Sequence, residues 1–347
     1  MKPHISINGR FTTQQVTGVQ RYASEIYNRT NEGMRLVKPA KINNSWRGHI
    51  WEQFILPNLL ESGELLWSPG NTGPLFVRNQ VVTIHDISPI EHPEWFTPSF
   101  AIWYRYLLPR LATSVYLVFT VSQFTRQRLI NEFNLSEEKV LVIPNGVNPD
   151  FCPRKQDDIT NMREKYSIEG SYILSLGSLE PRKNLNRLFQ AWKKITRDSQ
   201  DIELVVVGEM VSSFRDPDFD NSITRIRFLG RIDDQDLPGL YSGALCFIYP
   251  SIYEGFGLPV LEAMACGTPV ITSNTTSLPE VAGDACLLIN PYDTDEISET
   301  IQKVLQDANL HEDLRTRGLL RAKQFSWEKT AAQVWNTLET AYQEIFS

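Results

Sequence analysis

The sequence predicts two doubly wound α/β domains, and three observations predict it. The chain has 347 residues, enough for two domains of ordinary size with separate cores. Short apolar runs alternate with segments of helical periodicity along nearly its whole length, the pattern of parallel sheets covered by helices. Each half also opens on a strand followed by a loop suited to anions, at Gly18 in the first and at Arg182-Lys183 in the second.

Composition narrows the function. Hydrophobic residues make up 41% and charged residues 22%, as in soluble globular proteins. A net charge of -7 argues against nucleic acid as the main partner, so any phosphate site must be a local arrangement. Cys152, Cys246, Cys266 and Cys286 are widely spaced without a C-x-x-C pair, and they read as thiols of a reducing compartment. No signal peptide and no run of eighteen apolar residues is visible, so a cytoplasmic protein is expected.

In the first half, Ile5 to Asn8 reads as a strand and Arg10 to Thr17 as a polar loop. Val19, Tyr22, Ala23, Ile26 and Tyr27 then fall on one helical face, which puts Gly18 at a helix N-terminus where amides can receive a phosphate. A plain turn explains one glycine equally well. Leu65 to Trp67 and Val81 to Ile84 read as strands, the second leading into His85-Asp86. A histidine at the carboxyl end of a parallel strand points to the crevice where open α/β sheets bind ligands.

From Trp95 to Val121 the chain is rich in aromatics, with Phe100, Trp103, Tyr104, Leu107, Leu108 and Leu111 on one helical face. The simpler reading is a core-facing helix. The sharper one is a surface that meets a lipid-linked acceptor or the membrane interface. Leu117 to Val121 is a strand, Ser122 caps the next helix, and Lys139 to Ile143 ends the half.

In the second half, Tyr172 to Gly177 is a strand and Leu185, Leu188, Phe189, Trp192 and Ile195 mark a helix. Asn184 is suited to cap that helix, so Arg182 and Lys183 stand just ahead of its N-terminus, a strong anion site. Leu204 to Gly208 and Ile226 to Gly230 are further strands. Asp216, Asp218 and Asp220 between them read as a surface loop rather than a metal site. Helices are expected over Thr294–Ala308, His311–Phe325 and Glu328–Phe346.

The stretch Ile252 to Val270 follows an expected strand, Ala244 to Tyr249. Gly255 and Gly257 flank Phe256 and let backbone approach a ligand. Pro259 suits a first helical turn, Gly267 ends the helix, and Pro269 to Thr272 is the next strand. Glu254 is expected on the loop and Glu262 in the first helical turn, both facing one crevice. Glu262 can accept two hydroxyl protons of a ribose, and Glu254 can hold a sugar hydroxyl or answer a developing positive charge.

Glu254 through Glu262, with the filling Gly-Phe-Gly-Leu-Pro-Val-Leu, resembles the E-x7-E motif of retaining glycosyltransferases of family 4 and the GT-B fold. Glu180-Pro-Arg-Lys-Asn184 is similar to that family's phosphate-binding segment, whereas Ser178 follows Gly177 where many relatives carry arginine. Pro144 to Pro153 resembles its interdomain linker. The resemblance implies domains at 1–150 and 151–327 facing across a cleft, with the helix 328–347 packing back on the first.

It also implies a metal-independent enzyme without a cofactor, using a nucleotide-sugar donor. Arg182 and Lys183 would stabilise the leaving diphosphate, Glu254 and the amides of Gly255, Phe256, Gly257 and Leu258 the sugar, and Glu262 the ribose. His85 and Gly18 would serve from the first domain, and Arg231-Ile232 would frame the base. GDP-mannose is the expected donor and a saccharide or lipid-linked saccharide the acceptor, in cell-surface polysaccharide synthesis with peripheral membrane contact. A UDP-hexose transferase, a nucleotide-sugar epimerase and a non-catalytic assembly scaffold are the alternatives.

Overall fold

The computed structural model describes residues 3–40, 45–195, 202–209 and 224–347. They form two compact units, one of Met1–Pro93, Pro98–Gly146 and Ser326–Ser347, the other of Glu94–Thr97 and Val147–Phe325.

The first unit runs through β1 (Ile5–Asn8), α1 (Gly18–Thr30), β2 (Met34–Val37), α2 (Ser45–Ile50), α3 (Leu56–Leu59), β3 (Leu65–Ser68) and β4 (Gln80–Thr83). It continues with α4 (Ser88–Glu91), α5 (Pro98–Ser114), β5 (Leu117–Thr120), α6 (Gln123–Phe133) and β6 (Val140–Val142). The strands pair in parallel in the order β2-β1-β3-β4-β5-β6. Every residue of β1, β3 and β4 is buried, as expected for a parallel sheet covered on both faces. Ser122 caps α6 by accepting from the Thr125 N–H at 3.1 Å, and Asn134 ends it in the left-handed conformation.

The second unit contains α7 (Gln156–Lys165), β7 (Ser171–Leu176), α8 (Leu185–Ile195), β8 (Ile202–Val207), β9 (Ile226–Gly230), α9 (Leu237–Ser242) and β10 (Phe247–Tyr249). Then come α10 (Leu258–Ala265), β11 (Val270–Ser273), α11 (Leu278–Ala282), β12 (Leu287–Ile289), α12 (Thr294–Gln306) and α13 (Ala308–Ala322). The parallel order is β12-β11-β10-β7-β8-β9. Leu188, Phe189 and Trp192 of α8 join Leu204, Val206, Ile248 and Ile271 in one core, which is why α8 needs its strongly one-sided apolar face.

The chain then re-enters the first unit as α14 (Trp327–Phe346), capped by Ser326, whose Oγ accepts from the Lys329 N–H at 3.2 Å. It lies along α1. Trp327 meets Tyr22 edge-on at 6.2 Å, and a Cβ on Gly33 would come within 2.1 Å of the Trp335 ring. Leu338 and Tyr342 of α14 are buried.

Several elements differ from expectation. The loop expected at Arg10 to Thr17 begins as a 3-10 turn over Gly9–Thr13, with Arg10 and Phe11 buried. The strand expected from Ala244 starts only at Phe247. The short β2, β12, α7, α9 and α11 were too brief to impose a period on the sequence. On α5, Leu107, Leu108 and Leu111 are buried, but Ile102 and Tyr106 face solvent, so its apolar face is split between core and surface. Asp216, Asp218 and Asp220 lie outside the described residues.

Candidate active site

In the second unit the chain passes from β7 to β8 and β9 on one side, and β10 then starts on the other side of β7. The carboxyl ends of β7 and β10 therefore flank a topological switch point, where open α/β sheets bind ligands. The loop after β7 carries Gly177 to Asn184 and the loop after β10 carries Pro250 to Gly257. The two loops are tied by the Ile252 N–H, which donates to the Arg182 carbonyl at 2.8 Å.

Arg182, Lys183 and Glu254 are brought together at that point. Lys183 Nζ lies 2.6 Å from Glu254 Oε1 and 2.6 Å from the Tyr249 hydroxyl. Arg182 donates through Nη1 to Glu254 Oε2 and the Tyr253 carbonyl, each at 3.4 Å, and through Nε to Glu180 Oε1 at 2.6 Å. Burial alone would raise the Glu254 pKa, but Lys183 and Arg182 outweigh it and hold the carboxyl below the usual range. At Glu180 the balance is reversed: burial prevails over Arg182 and Lys183, and its pKa is raised.

Two cations and two carboxylates thus share one buried cluster. Such a cluster costs desolvation that apolar packing would avoid, which favours a chemical rather than a stabilising purpose. Glu180 Oε2, buried here, has no hydrogen-bond partner among the described residues. Buried polar atoms are normally paired, so it marks unfinished polar surface. Glu180 and Tyr249 are site residues that sequence reasoning missed. Glu180 stood inside the Glu-Pro-Arg-Lys-Asn motif, but nothing local showed it turning inward.

Glycine geometry explains the close packing of these loops. Gly177 and Gly208 have φ of 153° and 146°, and a Cβ on Gly208 would sit 1.8 Å from the Gly177 carbonyl oxygen. Gly257, at φ 109°, precedes α10 and offers no side chain to cap it, leaving the helix start to its own amides. Ser277 Oγ lies 2.9 Å from both the Glu254 and the Phe256 carbonyl, its one O–H serving the pair, and fixes the turn through Gly255. Phe256 is buried edge-on against Phe325.

Two expectations are corrected here. Asn184 occupies the start of α8, but its side chain does not cap it; the amide donates to the Pro250 and Pro291 carbonyls at 3.1 and 2.6 Å. It thereby pins the two loops together. Glu262 lies beyond the first turn of α10, because the helix begins at Leu258, and no acidic residue occupies that turn. Its Oε2 accepts from the Tyr241 hydroxyl at 3.1 Å. Ile232 is buried and Arg231 exposed after β9, and Ser178 is half-buried after β7.

In the first unit, His85 follows β4. Its Nε2 lies 2.9 Å from the Pro69 carbonyl, so that nitrogen carries the proton, and burial lowers its pKa. Tyr22 meets the ring edge-on at 4.7 Å. The His85 N–H donates to Asn71 Oδ1 at 2.7 Å. Asp86 accepts from the Ser88 N–H at 2.9 Å and orders the loop. Gly18 opens α1 after Thr17, whose N–H donates to Gln20 Oε1 at 3.2 Å.

Family models match both units: residues 158–321 match "Glycosyl transferases group 1" and residues 66–151 match "Glycosyltransferase Family 4". The chain is 38% identical over 271 residues to the O-antigen chain mannosyltransferase B of Escherichia coli, covering 76% of this chain and 71% of that one. It is 32% identical over 262 residues to the serotype-specific mannosyltransferase WbdA of Escherichia coli, covering 72% of this chain but only 32% of that longer protein. Sucrose-phosphate synthase from Thermosynechococcus elongatus superposes with a TM-score of 0.76 at 18% identity, covering 99% of this chain and all of that one. WaaG, a lipopolysaccharide glycosyltransferase, gives 0.74 at 15%, covering 96% and 99%.

Two parallel α/β units define the GT-B fold, and the family models over both units make the protein a glycosyltransferase. The chain belongs to glycosyltransferase family 4, among relatives named as O-antigen mannosyltransferases.

Proposed function

We propose that this glycosyltransferase transfers mannose from GDP-mannose to a saccharide or lipid-linked saccharide, with retention of anomeric configuration and without a metal ion. The observation that carries the reading is the cluster of Arg182, Lys183 and Glu254 at the carboxyl ends of β7 and β10. The mannosyl donor is supported by the names of the relatives in Escherichia coli and Salmonella typhimurium.

In this reading the bond between the anomeric carbon and the diphosphate oxygen breaks, and GDP leaves with the bonding electrons. Arg182 and Lys183 stabilise that charge, which takes the role a metal has in other transferases. The acceptor oxygen bonds to the anomeric carbon on the same face, and its proton passes to the departing phosphate oxygen. Glu254, kept ionised by its two cationic neighbours, steadies the positive charge on the sugar. The amides from Gly255 to Leu258 hold sugar hydroxyls and Glu262 the ribose, while Gly177, Ser178, Arg231 and Ile232 complete the donor contacts. His85 and Gly18 are proposed as donor-contacting residues of the first unit, with the neutral His85 imidazole fixed by Pro69.

A cytoplasmic setting is supported by the free cysteines, of which Cys246, Cys266 and Cys286 are buried. Peripheral membrane contact is supported by exposed Trp46, Ile50, Phe54, Ile102 and Tyr106 beside Arg47, Arg105 and Arg110 on the first unit. Among the described residues no helix is long and apolar enough to cross a membrane. The test is release of GDP from GDP-mannose, with and without mannosylated saccharides. Turnover with UDP-hexoses alone would replace the donor, and nucleotide binding without turnover would favour the scaffold alternative.

A further inference from the structure

Of the two cations and two carboxylates clustered beyond β7 and β10, Glu180 is the one with no task in the proposed reaction. Its placement follows from the local sequence. Gly177 turns the chain out of β7, and the Leu179 N–H donates to the Glu209 carbonyl at 3.0 Å, tying the loop to the end of β8. Glu180 is extended, with φ of -140° and ψ of 154°. Pro181 then starts a 3-10 turn through Lys183, and proline suits that first position because its φ is already fixed. The Lys183 N–H closes the turn on the Glu180 carbonyl at 3.1 Å. The side chains of Glu180, Arg182 and Lys183 therefore converge.

Glu180 Oε1 accepts from Arg182 Nε at 2.6 Å. A guanidinium is planar and rigid, so holding Nε fixes the direction of the remaining donors. With Nε held in this way, Nη1 reaches Glu254 Oε2 and the Tyr253 carbonyl, each at 3.4 Å. Glu180 sets the aim of Arg182.

The other oxygen of Glu180 bears on its charge. The side chain is fully buried, and Oε2 has no hydrogen-bond partner among the described residues. A bare ionised oxygen is far more costly to bury than a protonated one. Glu254 also has the first claim on Lys183, whose Nζ lies 2.6 Å from Glu254 Oε1 and 3.8 Å from Glu180 Oε1. With both carboxylates ionised the cluster is neutral and has no excess charge for an anion. With a proton on Glu180 it keeps one positive charge.

We propose that Glu180 is a positioning residue that carries a proton on Oε2, aiming Arg182 through Oε1 while leaving the cluster one net positive charge for the diphosphate of the donor. The part played toward the donor rests on the transferase reading; the buried, protonated carboxyl does not. Burial pushes the Glu180 carboxyl above the ordinary range against the pull of Arg182 and Lys183, and the Glu254 charge pushes the same way. The groups that face Glu180 are Arg182 and Lys183 from its own loop, and Tyr249 and Glu254 from β10 and the loop after it. Glu254 is held below the ordinary range and the Tyr249 phenol well above its own. A carboxyl proton lost above the ordinary carboxylate range is therefore that of Glu180.

Stability against pH tests the proton without any donor. A carboxyl whose pKa rises on folding keeps its proton in the folded chain while the unfolded chain loses it, so stability falls as pH rises through that interval. Glu180→Gln keeps an acceptor for Arg182 Nε and has no proton to lose. In denaturant titrations its unfolding free energy, relative to the unmodified protein, should climb between about pH 5 and 8. A Glu180 ionised throughout predicts a flat difference there, and a flat difference overturns the proposal.

Calorimetric binding of GDP above about pH 7, where a terminal phosphate is already ionised, reads the charge. Affinity should fall about tenfold as Glu180 loses its proton, and this fall should be absent in Glu180→Gln. Glu180→Ala removes the acceptor as well. Its turnover should drop about tenfold or more, chiefly in kcat, and Glu180→Gln should recover most of that loss. Equal losses of turnover in the two variants, or the same pH dependence of GDP affinity in Glu180→Gln as in the unmodified protein, overturn the proposal. A climbing stability difference in a protein with no GDP response would sink the donor reading and leave the protonated Glu180 standing.

Discussion

Lys183 Nζ and Glu254 Oε1 lie 2.6 Å apart, joining the loop after β7 to the loop after β10. The pair makes Lys183 a double participant in the proposed reaction, since it neutralises a buried carboxylate and would present charge to a leaving diphosphate. Lys183→Ala should cost up to about 3–5 kcal/mol of stability, because the buried Glu254 then keeps only its longer 3.4 Å contact with Arg182. Turnover should fall about a hundredfold or more. Adding Glu254→Gln should restore much of the stability but none of the turnover. Denaturant titration and a GDP-release assay read the two effects separately.

Arg182 is less buried than Lys183 and holds Glu180 as well as Glu254. Arg182→Ala should lower turnover by about tenfold or more while moving the thermal midpoint less than Lys183→Ala does. Unchanged turnover would remove Arg182 from the catalytic set.

Gly208→Ala should prevent the second unit from forming its site. Its Cβ would stand 1.8 Å from the Gly177 carbonyl oxygen, and its φ of 146° disfavours any side chain. Gly257→Ala, at φ 109° with Leu278 Cδ2 2.7 Å from the new Cβ, should cost about 1–3 kcal/mol. Circular dichroism melting of the two variants should rank them in that order.

The Arg10–Glu52 pair predicts an acid limb in stability. Burial alone would raise the Glu52 pKa, but Arg10, His49 and Asn8 together outweigh it and bring the carboxyl to about 2, from 4.5 when unfolded. The unfolded chain therefore takes up the proton first as pH falls. This contribution, about 3 kcal/mol, is complete above pH 4.5 and is lost as pH drops toward 2. Glu52→Gln should flatten the slope of unfolding free energy between about pH 4.5 and 3.

The long elements were legible because their patterns are redundant. Leu185, Leu188, Phe189, Trp192 and Ile195 recur on one face of α8, and Gly255-Phe-Gly-Leu-Pro marks a strand-to-helix turn without ambiguity. Arg182, Lys183 and Glu254 could be read because loop glycines and motif spacing place them at strand ends. Arg10 and Glu52 could not. Arg10 sits in what looks like a polar loop, and the π turn that aims Glu52 inward has no short-range signature. Asn184 was misread for a related reason. Its cap position was correct, but the carbonyls of Pro250 and Pro291 that claim its amide are distant in sequence.

The most direct test of the central claim is thermal unfolding of the protein with GDP, GDP-mannose, UDP and UDP-hexoses, repeated with Arg182→Ala. A ligand that binds only the folded state at a hundred times its Kd stabilises it by about 2.7 kcal/mol. The account predicts a clear upward shift with GDP and GDP-mannose, reduced in the variant. A shift with UDP ligands alone, or one that Arg182→Ala leaves untouched, would contradict it.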